Sequence, residues 1–175
     1  MNPKLPAKLA SITLLAVLLA PGLAWSKASD RNQPMTIDSN NNDCNFSDNG
    51  KCQFSGNVII TQGSMEIHAD TADVIRKNGE TERVILTGKQ ATLKQQMDDN
   101  TWMNARADNM DYNINSEVII LTGNYKVESE RGTNAGQRMV YNTRSGAMQS
   151  GGDGTRVRTV IQPKNKAPAA AGEAK

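Results

Sequence analysis

The sequence predicts an all-β domain whose strands stack into two sheets around one apolar core, and three observations carry that expectation. Ser-Gly or Thr-Gly recurs at Ser55-Gly56, Thr87-Gly88 and Thr122-Gly123, at intervals of 32 and 35 residues, which marks an internal repeat. Downstream of each stands a second landmark, Ala69-Asp70, Ala107-Asp108 and Gly136-Gln137, and then apolar side chains alternating with polar ones, Ala72/Val74, Met110/Tyr112 and Met139/Tyr141. Each alternating run meets a turn dipeptide at a nearly constant offset: Asn78-Gly79, Asn115-Ser116 and Ser145-Gly146. No helical stripe of useful length follows residue 30. Chains of this pattern close into sandwiches, barrels or stacked rolls, because each repeat is too small to bury its own apolar face. The glycines are expected at bends or close strand approaches, where a Cβ is costly.

The chain opens with Lys4 and Lys8, an apolar run from Leu9 to Ala20, Pro21-Gly22, and small residues at Ala24 and Ser26. This is the pattern of a cleavable export signal over residues 1–26. A retained anchor is the alternative, but the run is short for a membrane span and Pro-Gly interrupts it. Residues 27–33 form a polar leader, 34–162 the strand-rich domain, and 163–175 a tail without apolar periodicity that reads as disordered.

Cys44 and Cys52 frame "CNFSDNGKC", in which Cys44/Phe46 and Cys52/Phe54 alternate with polar residues on either side of a Ser-Asp-Asn-Gly turn. Both cysteines then reach one face of a hairpin and bond across it in an oxidising compartment; two free buried thiols are the alternative. Further along, alternation groups Met35/Ile37, Val58/Ile60, Ala91/Leu93 and Met110/Tyr112/Ile114 on common faces. In "VIILTGN" both faces are apolar, so Val118/Ile120 and Ile119/Leu121 are not assigned. The seven methionines after residue 30 either fill the core or suit a surface that takes varied apolar guests.

Charge and composition exclude several functions. Removing residues 1–26 takes two of the 20 basic side chains and none of the 18 acidic ones, so the remainder is formally neutral. Without a basic excess there is little drive toward nucleic acid. Two cysteines and one histidine, His68, make no zinc site within one chain, and no other metal or cofactor is expected. No phosphate-binding glycine loop of the Gly-x-x-x-x-Gly-Lys-Ser/Thr form is present. His68 reads as a surface histidine, since no serine or cysteine stands in a nucleophile motif. The carboxylate pairs Asp70/Asp73 and Asp98/Asp99 fall at turns and polar faces, where solvated charge is the simpler reading than a glycosidase dyad.

Four stretches carry a family resemblance: "QPMTIDS" at 33–39, "GNVIITQGSMEIHAD" at 56–70, "GKQATLKQQMDD" at 88–99 and "MDYNINSEVIILTGNYKV" at 110–127. In this order they resemble the periplasmic bridge proteins of lipopolysaccharide transport, the LptA or OstA-like family. The resemblance implies a β-jellyroll of two antiparallel sheets in an open V, whose apolar groove shields lipid A acyl chains. It also implies protomers joined edge to edge between an inner-membrane transporter complex, with its bitopic jellyroll component, and an outer-membrane translocon. Exposing acyl chain to water costs about 0.8 kcal/mol per methylene, so a chain of about twelve carbons costs about 9 kcal/mol. A carrier crossing the periplasm therefore has to shield its cargo throughout, and the push has to come from a partner.

Within that frame the expected lipid-facing residues are Met35, Ile37, Val58, Ile60, Leu93, Met110, Tyr112 and Ile114. The expected oligomer edges are Thr36, Ile37 and Asp38 at one end and Val157, Thr159 and Ile161 in a last strand over 155–162, although Arg156 and Arg158 would also serve as charges that block pairing. The cysteine hairpin departs from the family pattern. A structural strand-assembly protein without lipid cargo is the other reading.

Overall fold

The protein is described from a computed structural model in which residues 30, 32–97 and 99–163 are placed. The expected cleavable signal over 1–26 and almost all of the tail lie outside the described residues. Ten strands follow one another: β1 (Thr36–Asp38), β2 (Asn41–Cys44), β3 (Lys51–Gln62), β4 (Met65–Lys77), β5 (Glu80–Gln96), β6 (Trp102–Asn113), β7 (Val118–Ser129), β8 (Gly132–Asn142), β9 (Met148–Ser150) and β10 (Arg158–Ile161). All pairings are antiparallel, in the order β1-β3-β4-β5-β6-β7-β8-β10, with β2 also on β3 and β9 also on β8.

The strands from β3 to β8 are long, from 11 residues in β8 to 17 in β5. The two sheets are halves of one hydrogen-bonded ladder. At one level across that ladder every pairing from β3 to β8 slips: between Ser55/Val58, His68/Thr71, Thr87/Ala91, Arg106/Asn109 and Thr122/Tyr125. Aligned bulges of this kind bend each strand and raise its twist. The sheet is thereby creased into layer A, edged by β2 and β9, and layer B, edged by β1 and β10. It does not close into a barrel, because β1 and β10 are not neighbours.

The repeated sequence landmarks lie on this crease. Gly56 and Gly123 have φ of 77° and 78°, and the asparagines after them, Asn57 and Asn124, are also left-handed. Residues other than glycine and asparagine rarely take that conformation, which explains the Gly-Asn pair. The second landmark supplies the partners. Asp70 accepts from Lys89 N at 3.0 Å, Asp108 from Asn124 Nδ2 at 2.9 Å, and Gln137 Oε1 from Asn124 N at 3.2 Å. The bonds to Asp70 and Gln137 take up backbone N–H groups at the bulges, and the bond to Asp108 holds the Asn124 side chain.

Both layers turn one apolar face inward, and these faces form a single core. In layer A it holds Val84, Leu86, Met110, Tyr112, Ile119, Leu121, Met139 and Tyr141; in layer B it holds Val58, Ile60, Ile67, Leu93, Met103, Tyr125 and Val127, all buried. Each fully buried aliphatic or aromatic side chain contributes about 1.5–3 kcal/mol relative to exposure. Within β4, β5 and β6 the inward alternation slips by one residue at the crease, from Ile67 to Ala72, from Leu86 to Ala91 and from Ala107 to Met110, so both halves keep their apolar side inward. The "VIILTGN" ambiguity resolves with Ile119 and Leu121 inside and Val118 and Ile120 half-exposed outside.

Candidate functional site

The inward face is built from ladder rows in which directly paired residues share a side. One row of layer B runs Ile37, Ile60, Ile67, Leu93, Ala105, Val127, Asn134, Thr159 from the β1 edge to the β10 edge. A facing row of layer A runs Cys44, Cys52, Val74, Val84, Tyr112, Ile119, Tyr141, Met148 from β2 to β9. The interior is therefore a packed apolar seam running across the sheet, apolar in layer B from Ile37 to Val127 and polar at Asn134 and Thr159 by the β10 edge, and bounded by the crease on one side. Hairpin turns rim its other side: 78–79, 114–117 and 143–147 on layer A, and 63–64, 97–101 and 130–131 on layer B.

Every residue expected to face lipid stands on this inward side. Val58, Ile60, Leu93, Met110 and Tyr112 are buried, and Met35, Ile37 and Ile114 are partly exposed where they pack against the core. The two kinds of burial differ in what a guest would meet. The buried five sit within the slot, whereas Met35 and Ile37 lie at its β1 end and Ile114 at the rim.

The expected edge residues are distributed less evenly. Thr36–Asp38 coincides with β1, and Thr36 Oγ1 lies 2.5 Å from Thr61 Oγ1 on the neighbouring strand. At the opposite edge β10 starts only at Arg158, so Val157 precedes the strand instead of belonging to it. Thr159 Oγ1 accepts from Asn134 Nδ2 at 2.9 Å, and Ile161 is 82% exposed. Cys44 and Cys52 are directly paired across β2 and β3 and joined as a disulfide. Phe46, grouped with Cys44 by alternation, is exposed because it falls in the turn after β2 ends.

Sequence reasoning missed a cluster at the mouth near the β9 end. A cleft of ≈ 270 Å³ opens there between the two layers, lined by Met97, Asp99, Thr101, Met103, Ser129 and Arg131 from layer B and by Gly146 and Met148 from the opposite lip. Met97 bridges the lips: Tyr141 OH donates to its Sδ at 3.9 Å. The Thr101 hydroxyl and backbone N–H, both bonded to Asp99, hold that carboxyl below its ordinary pKa, and Arg131 adds to the effect from 2.6 Å. The available signal was the number of methionines, which could not say that Met97 and Met103 of the β5–β6 hairpin would meet Met148 of β9.

The outer faces carry the remaining charge. His68 Nε2 lies 2.5 Å from Glu66 Oε1, and both side chains are about half-exposed. Asp73 pairs with Lys51 at 2.7 Å, while Asp70 is taken up by the crease, so the two do not face a common point as a glycosidase dyad would. Asp98 lies outside the described residues. Arg83 pairs with Asp111 and Arg144 with Glu117, which raises both arginines further above their usual range. Among the described residues no three His, Cys, Asp or Glu side chains gather as a metal site.

Comparison with known proteins adds independent findings. A family model described as LptA/(LptD N-terminal domain) LPS transport protein matches residues 36–147. The lipopolysaccharide export system protein LptA of Escherichia coli is 32% identical over 157 residues, covering 87% of this chain and 84% of its own length. LptA of Haemophilus influenzae is 30% identical over 154 residues, with 86% and 89% covered. The crystal structure of LptH, described as the LptA homologous periplasmic component of the lipopolysaccharide transport device of Pseudomonas aeruginosa, matches with a TM-score of 0.70 at 26% identity. That match covers 77% of this chain and 99% of LptH.

Proposed function

Because this chain belongs to the LptA/LptD N-terminal-domain family of lipopolysaccharide transport proteins, we propose that it carries lipopolysaccharide across the periplasm with the lipid A acyl chains held between its two layers. The observation that carries this reading is the apolar row of layer B, which runs from Ile37 at the β1 edge to Val127 without a polar interruption. Met35, Ile37, Val58, Ile60, Leu93, Met110, Tyr112 and Ile114 are the residues that would touch the chains. The interior is filled by its own side chains, so cargo enters by parting the layers about the crease, where the ladder is already interrupted.

The edges support the bridge. A second copy added beyond β10 and β9 would place its β1 beside β10 and its β2 beside β9, extending both layers at once and continuing the slot. Such a contact is heterologous and open, so it repeats. Thr36, Ile37 and Asp38 would meet Thr159 and Ile161, with Val157 flanking the joint. The same edges would receive the jellyroll of an inner-membrane transporter complex at one end and that of an outer-membrane translocon at the other. Export through the signal at 1–26 places the protein in the periplasm, and it acts without catalysis.

The test is photo-crosslinking in cells, with a benzoylphenylalanine replacing Tyr112 or Leu93 and, as an outward control on β6, Asn104. Lipopolysaccharide adducts at the two inward positions and none at Asn104 are expected. A folded, exported protein that forms polymers but gives no inward adduct would instead identify a structural assembly protein.

A further inference from the structure

The two open edges of layer B carry opposite charge. Followed through direct pairings, one outward row starts at Asp38 on β1, passes His68, Arg106 and Lys126, and ends at Arg158 on β10. Asp38 and Arg158 are both exposed. Among the described residues neither forms an ion pair. The row thus begins on an unpaired carboxylate, gathers cations on the way, and ends on an unpaired guanidinium.

Strand direction and register say what those charges would meet in a second copy. β1 runs from the rim toward the crease and β10 from the crease toward the rim, and β2 and β9 are opposed in the same way. Copies added edge to edge therefore meet as antiparallel pairs in both layers. A slip of one residue would turn inner faces outward. A slip of two keeps the faces, but it has to occur in both layers at once because the crease makes them one sheet. In the unslipped joint every row continues. Thr36 is level with Val160 across the whole of layer B, so Asp38 comes directly opposite Arg158 on the outer face and Met35 opposite Ile161 on the inner one. Opposite charges directly across an antiparallel pair are favourable and like charges unfavourable. Ile161, 82% exposed in the single copy, gains an apolar neighbour in the partly buried Met35. A β10–β10 joint would instead gather Arg156 and Arg158 of both copies, and a β1–β1 joint both Asp38 carboxylates.

We propose that Asp38 and Arg158 form a directional charge code for joining a second copy of this chain: they pair across the joint, hold it in the unslipped register, and reject joints between like edges. This rests on the edge-to-edge reading above and deepens it by naming the residues that set register and polarity. Arg158 is then a selector of the partner edge and not a general block on strand pairing, because the charge it repels is its own kind and the charge it meets is supplied by the opposite edge of the same chain.

The experiment is sedimentation of the purified chain without residues 1–26 at low salt, for the parent, for Asp38→Arg and for Arg158→Asp. Each reversal alone puts like charges across every joint and should weaken self-association about tenfold, the change from an attractive to a repulsive exposed pair. An equimolar mixture of the two variants should recover association to within about threefold of the parent, because in an alternating chain every joint again pairs opposite charges. Misfolding would not produce that recovery. Register is read by cysteine crosslinking between copies: Thr36→Cys with Val160→Cys should link, and Thr36→Cys with Arg158→Cys should not. Single reversals that associate like the parent, or a mixture no better than its components, would overturn the charge code, and preferential linking of positions 36 and 158 would overturn the register. A parent protein that stays monomeric at every concentration would remove the joint and this code with it, whereas lipopolysaccharide adducts at Tyr112 in that same protein would leave the carrier reading standing.

Discussion

If the crease makes one sheet into two layers, a Cβ placed there should cost more than the same Cβ at a glycine of similar backbone conformation elsewhere. Gly123 tests this. Its φ is +78°, and a Cβ would stand 2.5 Å from Asp108 Oδ2 and 2.9 Å from Asp108 Cβ. Left-handed backbone costs a non-glycine residue about 1–2 kcal/mol. Relief of the clash moves Asp108 and breaks its hydrogen bond from Asn124 Nδ2, adding about 1–2 kcal/mol for a partly solvated charged acceptor. Gly123→Ala should therefore destabilise by about 3 kcal/mol. Gly152 is the control, with φ +87° and nothing within 4 Å of its Cβ position, so Gly152→Ala should lose only the backbone share of about 1–2 kcal/mol. Urea denaturation of both variants, with unchanged slope, gives the difference directly. Equal losses within about 0.5 kcal/mol would refute the claim that the Gly123 and Asp108 landmarks are matched across the crease, because experimental scatter is near that size.

Four other outcomes follow from the same geometry. Removing the disulfide with Cys44→Ala/Cys52→Ala should cost about 2.5 kcal/mol, since the cysteines are only 8 residues apart, and hydrogen exchange should rise first in β2. Leu93→Ala, at a site 2% exposed, should lose about 2–5 kcal/mol in denaturant unfolding, while Arg83→Ala on the outer face should lose about 1 kcal/mol or less. The Asp99 carboxyl has its folded pKa lowered, so its contribution is fully present above the unfolded value of about 4 and is lost as pH falls through the folded value. Asp99→Asn should consequently narrow its stability gap from the parent protein as pH falls from 6 to 2, and a gap independent of pH would contradict the cause assigned. Replacing Thr159 with proline should weaken self-association in sedimentation by depriving β10 of a backbone donor, with the monomer fold retained.

The fold was legible where a residue type is forced and obscure where several types fit. Gly56-Asn57 and Gly123-Asn124 could be read as special positions because few residues tolerate their backbone; Asp70 and Gln137 accept from backbone N–H groups at the bulges, and Asp108 accepts from the Asn124 side chain. Alternation placed Ile60, Leu93 and Tyr112 on the inner face for the same reason that a strand has period 2. It failed for Val118 to Leu121 because the outer face of layer A is itself rich in half-exposed aliphatics, with Ile85, Ile120 and Val140 near one another across the ladder. A repeat of turns and short apolar runs also hid the continuity of the strands, since the period does not say whether a glycine ends a strand or bends it. The mouth cleft was beyond reach: Met97, Arg131 and Met148 come from three different hairpins, and only the register brings them together.

A carrier must release what it holds, and the filled interior bears on that requirement. An open slot of this length would gain the full transfer energy of each acyl chain, about 9 kcal/mol for a chain of about twelve carbons, and several chains would be held almost irreversibly. Here the inner side chains are buried against one another before any cargo arrives, so entry exchanges contacts between Leu93, Tyr112, Ile119 and their neighbours for contacts with lipid. The net gain is the difference between two apolar environments rather than the whole transfer from water. On the proposed reading this keeps binding shallow while shielding remains complete, and a modest push from one end is enough to move lipid along a row of identical slots. Small-to-large changes inside, such as Ala105→Leu, would then weaken cargo adducts at Tyr112 without exposing the chains to water. Truncations such as Leu93→Ala would deepen the slot and retain lipid longer in pulse-chase crosslinking. Faster release from Leu93→Ala than from the parent protein would show that the filled core does not set the exchange.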